Sequence, residues 1–168
     1  MEEFDRIVVG VDPCVSSDGD ACGIVVAGRR DEKLFVLADR SVEKAGPERW
    51  ARAVAVAAEE WGASHVIAEA NQGGALVESV LKAADAGLKV RLVHASRSKT
   101  ARAEPVAVRF ETGKAFLAGE FPELEAELSG FTFRGYEGSG SPDRADAMVW
   151  ALTELGAMRN GMPRVRML

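Results

Sequence analysis

Residues Arg6–Cys14 read RIVVGVDPC, and this short stretch decides the fold. Ile7, Val8, Val9 and Val11 form a near-continuous β-branched run, which a strand covered on both faces of a sheet requires. Asp12 stands where the run stops. A carboxylate there is held at the rim of the sheet beside buried surface, which costs free energy unless a cation or hydrogen bond compensates it. Two further acidic stations along the chain are candidates to join it.

After the turn PCVSSDGD, Ala21–Gly28 and Leu34–Asp39 read as two more strands, linked through GRRDEK. Three strands joined by short turns predict an antiparallel meander. Pro47 and the spacing Trp50, Val54, Ala57/Ala58, Trp61 predict an amphipathic helix closed by Gly62. His65–Ala68 is a short strand ending at Glu69, and Asn71-Gln72-Gly73-Gly74 turns the chain into a helix over Ala75–Ala86. Lys89–Val93 is the fifth strand. The order predicts an α/β fold with a mixed five-stranded sheet, three antiparallel strands and then parallel ones, with helices on both faces. Beyond His94, Ser98–Gly113 has helical spacing through Ala101, Val108 and Phe116, and Pro105 is expected to start or kink that helix. Phe121–Leu128 reads as a short helix, Phe131–Phe133 as an extended piece, Gly135–Pro142 as a flexible connection, and Asp143–Arg159 as the last helix. With no repeat or internal boundary, residues 1–168 read as a single domain.

The chain is 47% hydrophobic and 28% charged, long enough for one sizeable core. No apolar run approaches the ~20 residues that span a bilayer, and the acidic opening MEEFDR is not a secretory signal. Cys14 and Cys22, without a second pair, speak against zinc and for reduced thiols, a disulfide being the other reading. A net charge of −5 gives no global attraction to nucleic acid. The charge is uneven, however: Lys89, Arg91, Arg97, Lys99, Arg102, Arg109 and Lys114 meet only Glu104 and Glu111 in that interval, and Arg159, Arg164 and Arg166 follow in the tail. Such a run is either an ordinary solvated face or a local track for phosphates.

The acidic stations are Asp12 after the first strand, Glu69 after the fourth, and Asp143 and Asp146 in the first turn of the last helix. If the first and fourth strands are parallel neighbours, Asp12 and Glu69 fall at the same edge. Asp143 and Asp146, three apart, share a helix face. Each has an ordinary reading too: Asp143 as a helix-start carboxylate, Asp12 as an acceptor of turn amides, Glu69 as the partner of an arginine. Together they are harder to explain that way, because carboxylates crowded at one rim repel unless a cation neutralises them. Oxygen-only ligands suit Mg²⁺ or Mn²⁺ rather than zinc. Two such ions about 3.5–4 Å apart activate water and stabilise the leaving oxygen in phosphodiester cleavage. His65 and His94 read as structural, and Trp50, Trp61 and Trp150, at helical spacing, as core.

The strand–Asp opening, the Glu69-Ala70-Asn71 stretch, the segment SKTARAEPVAVRFETGKAF and the ending SPDRADAMVWAL together resemble the C-terminal nuclease domain of the terminase large subunit of phages and phage-like gene transfer particles. The resemblance runs from about Arg6 to Leu155 and implies the RNase H-like fold shared with RuvC-type resolvases. It implies that Asp12, Glu69, Asp143 and/or Asp146 bind Mg²⁺ or Mn²⁺, two ions in the expected mechanism, and cut double-stranded DNA with little sequence specificity during genome packaging. Lys99, Arg102 and Arg97 are then expected near the DNA. The implied setting is the cytoplasm of a bacterial host, with a terminase ATPase domain, a small terminase subunit and a portal protein as partners and no membrane. A packaging terminase also carries an ATPase, yet no GxxxxGK[ST] loop occurs here. The expectation is an excised, monomeric nuclease domain. A Holliday-junction resolvase, which would be dimeric, and a non-catalytic DNA- or portal-docking module are the rival readings. Sugar-kinase and actin-like ATPases share a similar sheet, but they need a Gly/Thr phosphate turn after the first-strand Asp, where this chain has Pro13-Cys14-Val15.

Overall fold

A computed structural model describes residues 3–14, 21–71 and 73–158. β1 (Arg6–Asp12), β2 (Ala21–Arg30) and β3 (Lys33–Asp39) form the expected meander. They are followed by β4 (Val42–Glu43), α1 (Pro47–Trp61), β5 (His65–Glu69), α2 (Gly74–Ala84) and β6 (Val90–Val93). The second half comprises α3 (Lys99–Glu111), β7 (Ala115–Leu117), α4 (Pro122–Ser129), β8 (Phe131–Thr132), β9 (Gly135–Tyr136) and α5 (Asp143–Ala157).

The main sheet runs β6-β5-β1-β2-β3-β7, with β4 paired to β2. β1 is antiparallel to β2 and parallel to β5, which is parallel to β6. The five expected strands are all present, and two short ones bring the sheet to seven. One of these, β7, holds Phe116, whose spacing had pointed to a helix. The helix ends at Glu111 because Gly113 takes φ +66°, a left-handed conformation open to glycine, and reverses the chain. Phe116 then stacks on Phe35 with ring centroids 5.4 Å apart. Pro105 neither starts nor breaks α3, which runs through it from a Ser98 cap. Its ring sits on the exposed side of the helix, while Val106 anchors the buried side. The end expected for the last helix, Arg159, lies outside the described residues, as do Gln72, Arg164 and Arg166.

Alternation along β1 and β2 sends side chains to two cores. Val9, Val11, Cys22, Ile24 and Val26 pack beneath α1 and α2, with Trp50, Val54 and Leu81 above them. Val8, Val25 and Ala27 pack beneath α5, against Ala147, Met148, Ala151 and Leu152. Burial of each large side chain contributes about 1.5–3 kcal/mol. Cys14 and Cys22 lie on the α1 side as thiols, Cys14 donating to the Ala45 carbonyl oxygen, in line with the reduced reading.

The α5 side is closer packed than apolar pattern alone requires. A Cβ on Gly10 would stand 2.1 Å from the Ala147 carbonyl oxygen, and one on Gly23 would stand 1.9 Å from that of Asp143. These two glycines of β1 and β2 therefore let the helix backbone lie directly on the sheet. That contact sets where the first turn of α5 comes to rest.

Candidate metal centre

The register that pairs Val11 with Ala68 brings the ends of β1 and β5 level, so Asp12 and Glu69 leave the sheet side by side. α5, seated on Gly10 and Gly23, adds its first turn from above. Asp12, Glu69 and Asp146 then each offer a carboxylate oxygen within 4.8 Å of the others. Asp146 is almost entirely buried, at 1% exposure. Asp143 is next to this trio but not within it: its Oδ1 accepts a 2.6 Å hydrogen bond from Ser141 Oγ. The sequence left Asp143 and Asp146 equivalent, and the structure gives them different surroundings.

Two cations from the start of α3 enter the cluster. Lys99 Nζ lies 3.0 Å from Asp12 Oδ2, 3.3 Å from Asp146 Oδ2 and 3.5 Å from Asp143 Oδ1. It also donates to Ser141 Oγ at 3.3 Å. Arg102, one turn on, bridges Glu69 and Asp146 through contacts of 2.9–3.1 Å. Its guanidinium lies over the Trp150 ring, 4.7 Å from the centroid. Arg97, the third expected DNA-side cation, is exposed on the connection between β6 and α3 and joins none of the described ion pairs of the cluster.

Three residues that sequence reading assigned no site role hold these groups in place. Trp150 Nε1 donates to Glu69 Oε2 at 2.8 Å, so this tryptophan is not simply core. Asn71 donates to Glu69 Oε1 at 2.6 Å and accepts from the Ala95 amide, tying the β5 and β6 ends together. Trp150 lies four residues after Asp146 on one helix face, the one signal that could have found it. Arg144, beside Asp143, is clamped by Asp39, Glu43 and Glu127, and Glu127 also accepts from the Ala145 amide at 2.8 Å. This clamp fixes the first turn of α5 against β3 and α4. His65, by contrast, sits at the far end of β5, 2.9 Å from Glu154, itself paired with Arg91, in keeping with its structural reading.

The electrostatics are those of an incompletely neutralised cluster. Burial pushes Asp12 up to about 8, against the pull of Lys99, with Asp146 and Asp143 adding to the rise. Burial likewise pushes Asp146 up to about 6, against Lys99 and Arg102. Glu69 moves the other way: burial would raise it, but the Trp150 hydrogen bond and the Arg102 charge outweigh that and hold it below the usual carboxylate range. Asp146 Oδ1 lies 2.9 Å from an Arg102 nitrogen, yet it is buried with no hydrogen-bond donor aligned to it among the described residues. Four carboxylates against two cations, an all-oxygen donor set and a buried acceptor left without a hydrogen bond all fit a hard divalent ion.

A sequence profile described as terminase RNaseH-like domain matches residues 9–155. The fold is similar to the large terminase nuclease of thermophilic phage G20c with bound magnesium, at 16% identity and TM-score 0.71, covering 89% of this chain and 81% of that one. It is similar to the nuclease domain of the large terminase subunit gp2 of bacterial virus Sf6, at 19% identity and TM-score 0.66, covering 90% and 89%. The manganese-soaked human cytomegalovirus terminase nuclease domain matches at 12% identity and TM-score 0.62, covering 94% and 89%. No match among curated proteins accompanies these. With the profile spanning β1 to α5, and the fold shared with terminase nucleases of phages and a herpesvirus, the chain belongs to the terminase RNaseH-like domain family.

Proposed function

We propose that this chain is a metal-dependent endonuclease that cuts double-stranded DNA with little sequence specificity during viral genome packaging. The observation that carries this is the convergence of Asp12, Glu69 and Asp146 oxygens within 4.8 Å at the rim of a terminase-family fold. Relatives described with magnesium, cobalt, zinc or manganese support the divalent-ion part of the reading. Mg²⁺ or Mn²⁺, two ions at the working centre, suits the oxygen ligands best.

Asp12, Glu69 and Asp146 would hold the metal, and Asp143 would complete the set beside Asp12. Bound there, divalent ions supply the Lewis acidity that activates water and stabilises the leaving 3′ oxygen. The chain's own residues do the rest. Trp150, Asn71 and Arg102 hold Glu69 ionised and oriented. Arg144 and the Gly10 and Gly23 contacts hold Asp143 and Asp146 over the strand ends. Lys99 and Arg97 line the approach of a phosphodiester backbone, Arg102 adds its charge to the same edge from its pairing with Glu69 and Asp146, and backbone contacts of this kind carry little sequence information.

In this reading the domain works in the cytoplasm of a bacterial host, as a monomer when isolated, and beside a terminase ATPase domain, a small terminase subunit and a portal protein when packaging. Among the described residues no helix is long and apolar enough to cross a membrane. The test is plasmid cleavage with Mg²⁺, Mn²⁺ or EDTA. Nicking and linearisation that need metal are expected, with a fall of at least about 10³-fold, or about 4 kcal/mol of barrier, in Asp12→Ala. Metal-independent cleavage, or full activity in that variant, would overturn the assignment.

A further inference from the structure

The nuclease reading leaves one feature of the cluster unused. Lys99 Nζ occupies the middle of the acids, within 3.5 Å of Asp12, Asp143 and Asp146 at once. Asp12 and Asp146 belong to the trio on which the metal reading depends, and Asp143 stands beside it. An ammonium and a divalent ion cannot share the same oxygens at such distances without strong repulsion. One of the two resident cations has to yield, and the structure distinguishes them. Arg102 is pinned: its side chain is 10% exposed, it bridges Glu69 and Asp146, and it lies against Trp150. Lys99 is not: its side chain is 33% exposed, carries four rotatable methylenes and makes its polar contacts, among the described residues, with the carboxylates and Ser141.

We propose that Lys99 is the resident counter-cation of the metal-free centre and is displaced from the carboxylates when a divalent ion binds. In the metal-free state it keeps Asp12, Asp143 and Asp146 assembled despite their mutual repulsion. On displacement it releases both Asp143 and Ser141, which it now holds, and its ammonium becomes available to the anionic substrate. Metal entry and the phosphate-facing position of Lys99 are thereby one event. The inference rests on the metal reading of the site and goes beyond it by assigning Lys99 two alternative positions.

Two measurements on the folded domain test it. In the first, the wild-type protein is acetylated briefly at lysines with and without saturating Mg²⁺, and Lys99 is followed by mass spectrometry against exposed Lys114. Lys99 is expected to be protected without metal and to become several-fold more reactive with it, while Lys114 stays unchanged. Equal or lower reactivity of Lys99 with bound metal would overturn displacement. In the second, Mn²⁺ affinity is measured without DNA by calorimetry. Lys99→Met is expected to bind about tenfold more tightly, since the ion no longer competes with the Lys99 ammonium for the same carboxylate oxygens. Lys99→Arg, which keeps the charge and guards against a folding failure in the methionine variant, is expected to bind about as the wild type does. Unchanged or weaker binding by Lys99→Met, or equally tight binding by Lys99→Arg, would overturn the competition. If wild type and both variants bind no Mn²⁺ while folded, the metal reading itself fails, and this inference falls with it.

Discussion

Glu69, unlike Asp12 and Asp146, is held in the charged state, and the groups that hold it are uncharged at their contact atoms in two cases out of three: the Trp150 indole N–H, the Asn71 amide and the Arg102 guanidinium. Their effect is separable from packing. Trp150→Phe keeps an aromatic ring over Arg102 but removes the N–H, leaving Glu69 Oε2 with only its longer Arg102 bond among the described donors. Mn²⁺ affinity is expected to fall about 10–100-fold, the usual effect of losing a group that orients a ligand, while circular dichroism stays native. Affinity within twofold of wild type would show that the indole serves packing alone. At this scale the sequence was informative where a residue's type and place coincide, as for Asp12 and Glu69 at the ends of apolar runs. It was uninformative for Trp150, because an indole facing a carboxylate and an indole filling a core have the same helical spacing. Asn71 was hidden for a similar reason: in a Gly-rich turn, asparagine is already explained by the turn.

The element that assembles the site is α5, and its position is set by what β1 and β2 lack. Gly10 and Gly23 admit the helix backbone to a distance no side chain allows. Gly10→Ala places a methyl 2.1 Å from the Ala147 carbonyl, against main chain that cannot rotate away. The variant is expected to lose at least about 2–3 kcal/mol of stability and, at temperatures where it stays folded, to bind Mn²⁺ more weakly, because Asp146 shifts relative to Asp12. Gly46→Ala, with open space at its Cβ, is the control and should cost no more than about 1 kcal/mol. Urea unfolding of both variants checks the first claim, and equal stability would sink it. The meander, the parallel β5–β6 pair and α1 were legible because each spans enough residues to show its period. β4 and β7, two and three residues long, carry no period of their own and exist by pairing with β2 and β3. The close approach at Gly10 was equally illegible, since a glycine inside a strand reads as weakness until its neighbour across the sheet is known.

At the scale of the molecule, this domain is built with a charge imbalance at its working edge, and that imbalance links pH, metal and stability. Asp12 rises from 3.8 to about 8 and Asp146 from 3.8 to about 6, burial being the main cause in both. Below about pH 4 these groups are protonated in the folded and unfolded chains alike and contribute nothing to the balance. As pH rises toward 8 the unfolded chain releases its protons first, so the metal-free fold loses stability across this window. Glu69, held below its usual value, works in the opposite direction, favouring the fold above that value and losing the benefit as pH falls through it. A divalent ion needs the ionised carboxylates, so its binding releases protons and strengthens from pH 6 to 8. Asp12→Asn removes the larger of the two penalties without changing shape. In EDTA at pH 8 this variant should therefore unfold about 2–8 °C above wild type, a gain that shrinks as the pH is lowered to 5. With saturating Mg²⁺ the order should reverse, because only the wild type gains the binding energy of the ion. Thermal unfolding of both proteins at pH 5 and 8, with metal and with EDTA, checks all of these at once. A variant less stable than wild type in EDTA at pH 8 would mean that the Lys99 pairing of Asp12 outweighs its burial, and that the metal-free centre is a net source of stability.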